Sequence, residues 1–269
     1  MDPPVVVSRR VNLKHQLFGV WAAPIFTVLT VVGFFLIAHF WQPAPADLSP
    51  QAAAKWFGSS HREGVLLGMS IWIIGACVMA FFVAQLYSML AELEGRRSVM
   101  AMTQLIAGCA IVTIVIIDAS LWMGASYRPG ANGEIDQALS DAAWLSLLIA
   151  WPILSVEMVA SALVTIQDKR ERPLVPRWVS IASLVGAGLL FTAGGPAFAK
   201  HGIFSYQGAL GYYVPFIIWA LWLNGHAVYM RRSVRHQQKD LAATEAEHRL
   251  RPVMPALPGV DREPQAGVS

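Results

Sequence analysis

The sequence predicts an all-α, polytopic membrane protein: a bundle of six transmembrane helices with both termini in the cytoplasm. Three observations predict it. Apolar residues make up 55% of the chain and charged ones 14%, where soluble domains carry roughly a quarter charged. The apolar residues gather into six segments, 17–40, 64–90, 99–125, 142–166, 178–199 and 208–230. Each is long enough to cross a hydrocarbon core of about 30 Å as a helix, which takes roughly 20 residues. The basic residues, finally, alternate from loop to loop. Of the twenty Lys and Arg, all but Lys55, Arg62, Arg128 and Lys200 fall at the termini or in the second and fourth connections, and basic residues are retained on the cytoplasmic side. The pI near 9.0 follows from these loops and reports attraction to anionic headgroups, so nucleic-acid binding is not called for.

Residues 1–16 read as a basic cytoplasmic N-terminus. The first apolar segment follows Arg9, Arg10 and Lys14 and precedes Ala44-Pro45-Ala46, a pattern like that of a secretory signal. At 17–40 it is longer than a signal core of roughly 7–15 residues, and it reads as an uncleaved span. In the connection that follows, Ser49-Pro50 before Gln51-Ala52-Ala53-Ala54-Lys55-Trp56-Phe57 predicts a short external helix near 50–57. Ser49 is its N-cap and Pro50 its first residue, and Trp56 and Phe57 lie at the headgroup level, over the mouth of the bundle.

Gly64, Gly68 and Gly75 share one stripe of the second segment, and Ser180, Ser183, Gly186, Ala187 and Gly194 give the fifth a similar small face. Small residues let helices approach closely in lipid, so both read as packing faces. Cys77 and Cys109 lie inside segments, imply no disulfide framework, and read as small packing residues. Between segments three and four, Pro129-Gly130 and Asn132-Gly133 predict a surface loop. Pro152 leaves the carbonyl near Leu148 without its helical donor and predicts a kink in segment four. Pro173 and Pro176 make the chain extended before segment five, where Trp178 anchors at the interface. Residues 231–269 read as a basic helical stretch and then a Pro-rich disordered tail.

Polar residues placed where lipid disfavours them are the candidates for function. Glu157 lies roughly 23 Å from the outer end of segment four at 1.5 Å per residue. A charge at such depth costs at least about 2.5 kcal/mol, so it needs a partner, a proton or a cavity. Asn224 and His226 of segment six lie at a matching depth, which predicts a Glu157–His226 acid–base pair with Asn224 as a further donor. Burial disfavours both charged forms and moves both groups toward proton transfer. The bland alternative bonds Glu157 to Ser161. Pro215, Trp219, Trp222 and His226 share a face of segment six, a candidate wall for an apolar ligand or a helix-packing face. Asp118 lies nearer the outer end of segment three and reads as a carboxylate reaching the interface, near Arg128, with a vestibule as the alternative.

His39, His61 and His201 with Asp47 and Glu63 have no recognised ligand spacing, and no metal or other cofactor is expected. Paired mid-membrane histidines for haem, a phosphate-binding Gly-rich loop and a nucleophile elbow are all missing from the sequence.

At His61-Arg62-Glu63-Gly64, Leu139-Ser140-Asp141-Ala142-Ala143-Trp144 and Arg172-Pro173 with Pro176-Arg177-Trp178, the chain resembles bacterial six-helix integral membrane proteins of unassigned function. The resemblance spans roughly 17–230 and implies the bacterial cytoplasmic (inner) membrane. The leading expectation is a protein that binds or transports a small apolar molecule or lipid, linked to a proton on Glu157. The alternatives are a membrane-embedded enzyme using Glu157, His226 or Asp118 as the acid on a lipophilic substrate, as membrane terpene cyclases do, and an accessory subunit of a larger membrane complex.

Overall fold

The computed structural model describes residues 3–128 and 132–250. Among them every regular element is helical. Helix α1 (Pro3–Leu29) continues as a π-helical stretch, Thr30–Ile37. A short α2 (Pro50–Lys55) passes into a π-helical turn, Trp56–Ser60. Then come α3 (Arg62–Glu94), α4 (Val99–Tyr127), α5 (Gly133–Ile149), α6 (Trp151–Thr165) and α7 (Arg177–Leu189), the last extended by a 3₁₀ stretch, Leu190–Ala197. A π-helical turn, Ala209–Tyr213, leads into α8 (Val214–Leu250).

Five stretches are long and apolar enough to cross a membrane: Val11–Ile37, Arg62–Glu94, Val99–Tyr127, Gly133–Thr165 and Arg177–Ala197. The protein is therefore a helical, multi-pass membrane protein. The sixth predicted segment, 208–230, is helical but falls outside this set. Its apolar run is diluted by Asn224 and His226 and meets Arg231 soon after.

Local chemistry explains where the helices start and stop. Ser49 caps α2, its Oγ accepting from Ala52 N at 3.3 Å, with Pro50 in the first turn. Phe57 is fully buried and Trp56 stacks on Phe40 and His61, so this segment closes one end of the bundle with its aromatic rings inside rather than at the surface. The expected surface loop between the third and fourth segments is much shorter than predicted. Asn132 caps α5 by accepting from Glu134 N at 3.0 Å, and Glu134 and Asp136 in the first turn suit the positive helix N-terminus. The fourth segment thereby begins at Gly133 rather than 142. Its helix is also interrupted at a single residue, Ala150. Pro152 cannot donate to Leu148 O, α5 ends at Ile149, and α6 restarts beyond Ala150. The turn residues Pro129 and Gly130 and the predicted tail 251–269 lie outside the described residues.

Packing is by small faces. Gly33 and Gly68 stand so close that a Cβ on either would strike the other's carbonyl, and a Cβ on Gly64 would strike Ile37 O. Backbones in lipid approach this way where no side chain intervenes. On the other side of the bundle Ser155 Oγ donates to Ala187 O at 2.8 Å and the Thr165 and Ser180 hydroxyls meet at 2.8 Å, joining α6 to α7. Cys77 and Cys109 depart from expectation: both side chains point outward, so neither packs the core.

Helices α1 and α8 run antiparallel. Tyr213 Oη donates to Trp41 O, Asn224 Nδ2 to Thr27 Oγ1 at 2.8 Å, and the Arg231 guanidinium lies 4.4 Å above the Trp21 ring. The basic part of α8 therefore lies beside the basic part of α1, and Leu13, Val234 and Leu241 are buried there.

Candidate functional site

Helix α4 has one buried stripe, at helical spacing from Gln104 through Gly108, Ile111, Val115 and Asp118 to Trp122 and Ser126. Two carboxyl groups meet this stripe, one near each end. Glu157 of α6 is fully buried, and its Oε1 accepts from Gln104 Nε2 at 3.0 Å. It reaches α4 at a place where no side chain stands in the way, because a Cβ on Gly108 would sit 2.6 Å from Glu157 Oε1 and 2.6 Å from Val83 Cγ1. Asp118 is equally buried and accepts a hydrogen bond from Ser146 Oγ of α5.

These contacts correct two expectations. Glu157 does not pair with His226 or Asn224. Helix α6 packs on α4 and α7, while α8 packs chiefly on α1, so the matching depths belong to helices that are not packed against one another. His226 turns back onto its own helix, its Nδ1 donating to Trp222 O at 2.9 Å with Nε2 left unpartnered. Asn224 bridges to α1 through Thr27. Ser161 donates to Met158 O, so it does not hold Glu157 either. Asp118, in turn, does not reach an interface or Arg128. It faces inward, where α5 lays Ser146 opposite it.

Between the two acids lies an apolar cleft of about 50 Å³. Its walls are Ile111 and Val115 of α4, Leu148, Ala150 and Leu154 around the α5–α6 break, and Pro215, Phe216 and Trp219 of α8. Glu157 lies one turn beyond Leu154 and Asp118 one turn beyond Val115. The cleft thus lies at the α5–α6 junction. Phe216 and Trp219 also line a second, larger groove of about 280 Å³ between α1 and α8, together with Thr27, Val31, Leu36 and Ala220. Val31, Leu36 and Ile217 at its rim are exposed apolar residues on a lipid-facing surface. Trp219 thus borders a void on either side, while Trp222 and His226 lie buried farther along the same helix.

Several buried polar atoms at these layers have no hydrogen-bond partner: Gln104 Oε1 and Glu157 Oε2 at one, Asp118 Oδ2 and Trp122 Nε1 at the other, and Trp219 Nε1 beside the cleft. Such atoms are rare in a folded protein and concentrate where water, protons or ligands bind. Gln104, Gly108, Ser146 and Phe216 escape a sequence reading that looks for unusual residues. The signal that finds Gln104 is topology, since consecutive elements are usually adjacent in space and α4 carries a polar amide in its second turn.

At the far surface, His39 and His61 bring their rings within 5.1 Å and His61 lies on Trp56. Burial, and then the neighbouring His39, hold His61 below the ordinary histidine range, against a backbone hydrogen bond at Trp56 that raises it. Among the described residues no three His, Cys, Asp or Glu gather into a metal-binding group. No family model, curated protein or solved structure matches this chain.

Proposed function

We propose that the protein binds, and moves within the bilayer, a narrow apolar molecule: a small hydrocarbon or the acyl chain of a lipid. The observation that carries this reading is the apolar cleft at the α5–α6 break, joined through Phe216 and Trp219 to the groove between α1 and α8. Size selects the ligand class. Pockets for bulky, drug-sized ligands hold roughly 300–1,000 Å³, and the cleft holds about 50 Å³, enough for the end of a chain. The acids at its two ends supply the link to protons.

In this reading α8 is a sixth span, both termini lie in the cytoplasm, and the protein resides in a bacterial cytoplasmic membrane. The distribution of basic residues supports that orientation, and the resemblance noted above supports the location. Other membrane subunits remain candidate partners through the lipid-facing surface.

The test is a photoreactive fatty acid in nanodiscs. Cross-links are expected to concentrate in 147–154 and 213–223, and to fall in Ala193→Phe and Ala220→Phe, which fill cleft and groove. Even labelling over the lipid-facing surface, with Ile106 marked as strongly as Trp219, overturns the reading. A second reading, acid catalysis on a lipophilic substrate, is favoured by Asp118 alone, whose unpartnered Oδ2 belongs to a buried acid one turn from the cleft wall. Conversion of an isoprenoid diphosphate or a terpene by purified protein, lost in Asp118→Asn, distinguishes it.

A further inference from the structure

The Glu157–Gln104 contact leaves two oxygens unaccounted for. Gln104 Nε2 donates to Glu157 Oε1 at 3.0 Å, yet Glu157 Oε2 and Gln104 Oε1 are both buried without partners. Both atoms are acceptors when the carboxyl is ionised, and two acceptors cannot satisfy one another. A single proton resolves both. Placed on Oε2, it turns that oxygen into a donor for which Gln104 Oε1, the other unpartnered atom of the pair, is the matching acceptor, closing a ring of two antiparallel hydrogen bonds between acid and amide. Neither orphan then remains, and no charge is left in the hydrocarbon.

We propose that Glu157 and Gln104 form a closed acid–amide clasp that holds one exchangeable proton at the contact between α4 and α6. The surroundings are arranged for it. Gly108 leaves room for the carboxyl, and Val83 of α3 covers it. No cation is within ion-pair distance of Glu157 among the described residues, and the neighbouring helices offer few titratable groups. Inside α3, beyond its terminal turns, these are Cys77 and Tyr87. α4 has Cys109, Asp118 and Tyr127, α7 has Arg177 at its start, and α8 before Arg231 has His226, already engaged with Trp222, and Tyr229. Loss of the proton sets a carboxylate oxygen against an amide oxygen and opens the clasp one turn from the cleft wall at Leu154. The clasp thus binds a proton as its ligand and ties α4 to α6 while it is bound. It needs no other ligand, so it stands or falls apart from the reading of the cleft.

Infrared difference spectroscopy of wild type minus Glu157→Gln in nanodiscs tests it. Glu157→Gln replaces the acid by an amide that can make the same two hydrogen bonds, so the fold is preserved while the titrating group is lost. The expected result is a carboxylic-acid carbonyl band at neutral pH that disappears in Glu157→Gln and shifts to higher frequency in Gln104→Met. Should Gln104→Met not fold, Gln104→Asn, which draws the amide back by one methylene, is expected to give the same shift. Thermal stability of the wild type should fall as pH is raised through deprotonation, while that of Glu157→Gln stays level. Ionised carboxylate bands alone at neutral pH, or an acid band indifferent to both Gln104 variants, overturn the proposal.

Discussion

Two seams of this bundle use glycine for different ends. Where α1 and its π-helical continuation meet α3, Gly33, Gly64 and Gly68 bring backbone against backbone and Trp72 Nε1 donates to Thr30 Oγ1 at 3.1 Å, while farther along Gln85 Nε2, beside Gly19, has no partner. Where α4 meets α6, Gly108 admits a carboxyl group instead of a backbone, and polar atoms are left without partners. The first seam is closed packing. The second keeps a break, a cleft and two acids, features that cost stability and that packing alone does not require. A stripe of small residues therefore says that something approaches closely, and only its neighbour says whether that is another helix or a reactive group.

The largest expected effect breaks the first seam. Gly68→Leu drives a side chain into Gly33 O and the Ala38 backbone, which cannot rotate away, and should cost at least about 3 kcal/mol, read as a lowered thermal midpoint in detergent. A variant of near wild-type stability would show that α1 and α3 can separate freely. Next comes the second seam. Gly108→Ala should cost about 1–3 kcal/mol, and some of that loss should be recovered in the Glu157→Ala background because the clashing carboxyl is gone. Additive losses would mean that the two residues do not meet. A smaller effect returns to the first seam: Thr30→Val strands the Trp72 indole N–H and should cost about 0.6 kcal/mol, the average for a hydrogen bond between membrane helices.

The smallest effect is a pH dependence at the end of the first seam. His61 is held below the ordinary histidine range by burial first and by His39 second. A depressed value favours the neutral ring in the folded state, so its contribution is present above about pH 6.5, the ordinary value, and is lost as pH falls from there through the folded value. His61→Phe keeps the stack on Trp56 and should remove this acid-side loss. An unchanged pH profile in the variant would place the titration elsewhere.

Much of this bundle is legible in the sequence because lipid imposes simple rules. Long apolar stretches become helices, Ser49 caps and Pro50 starts α2, and Pro152 interrupts a span at the level where its missing N–H is needed. Glu157 stands out as the acid that needs explaining. Its partner does not stand out. Depth counted from an assumed helix start sets Glu157 level with His226, but the cap at Asn132 lengthens the fourth span by a further two turns and more, and depth says nothing about which helices are neighbours. Asp118 defeats the depth argument because depth does not say which way a side chain turns: it faces inward to Ser146 of α5.

The sequence by itself determined the helical membrane class, the approximate places of five apolar spans, the disturbance at Pro152 and Glu157 as a deep acid, because each of these depends on local hydrophobicity or on the hydrogen-bonding capacity of a single residue. Tertiary structure alone decided that Glu157 meets Gln104 over Gly108, that Asp118 turns inward to Ser146, and that Phe216 and Trp219 stand between the cleft and the groove. These depend on which helix faces which and in what rotation, and in a uniformly apolar solvent that choice rests on the fit of small surfaces rather than on a pattern any one segment carries.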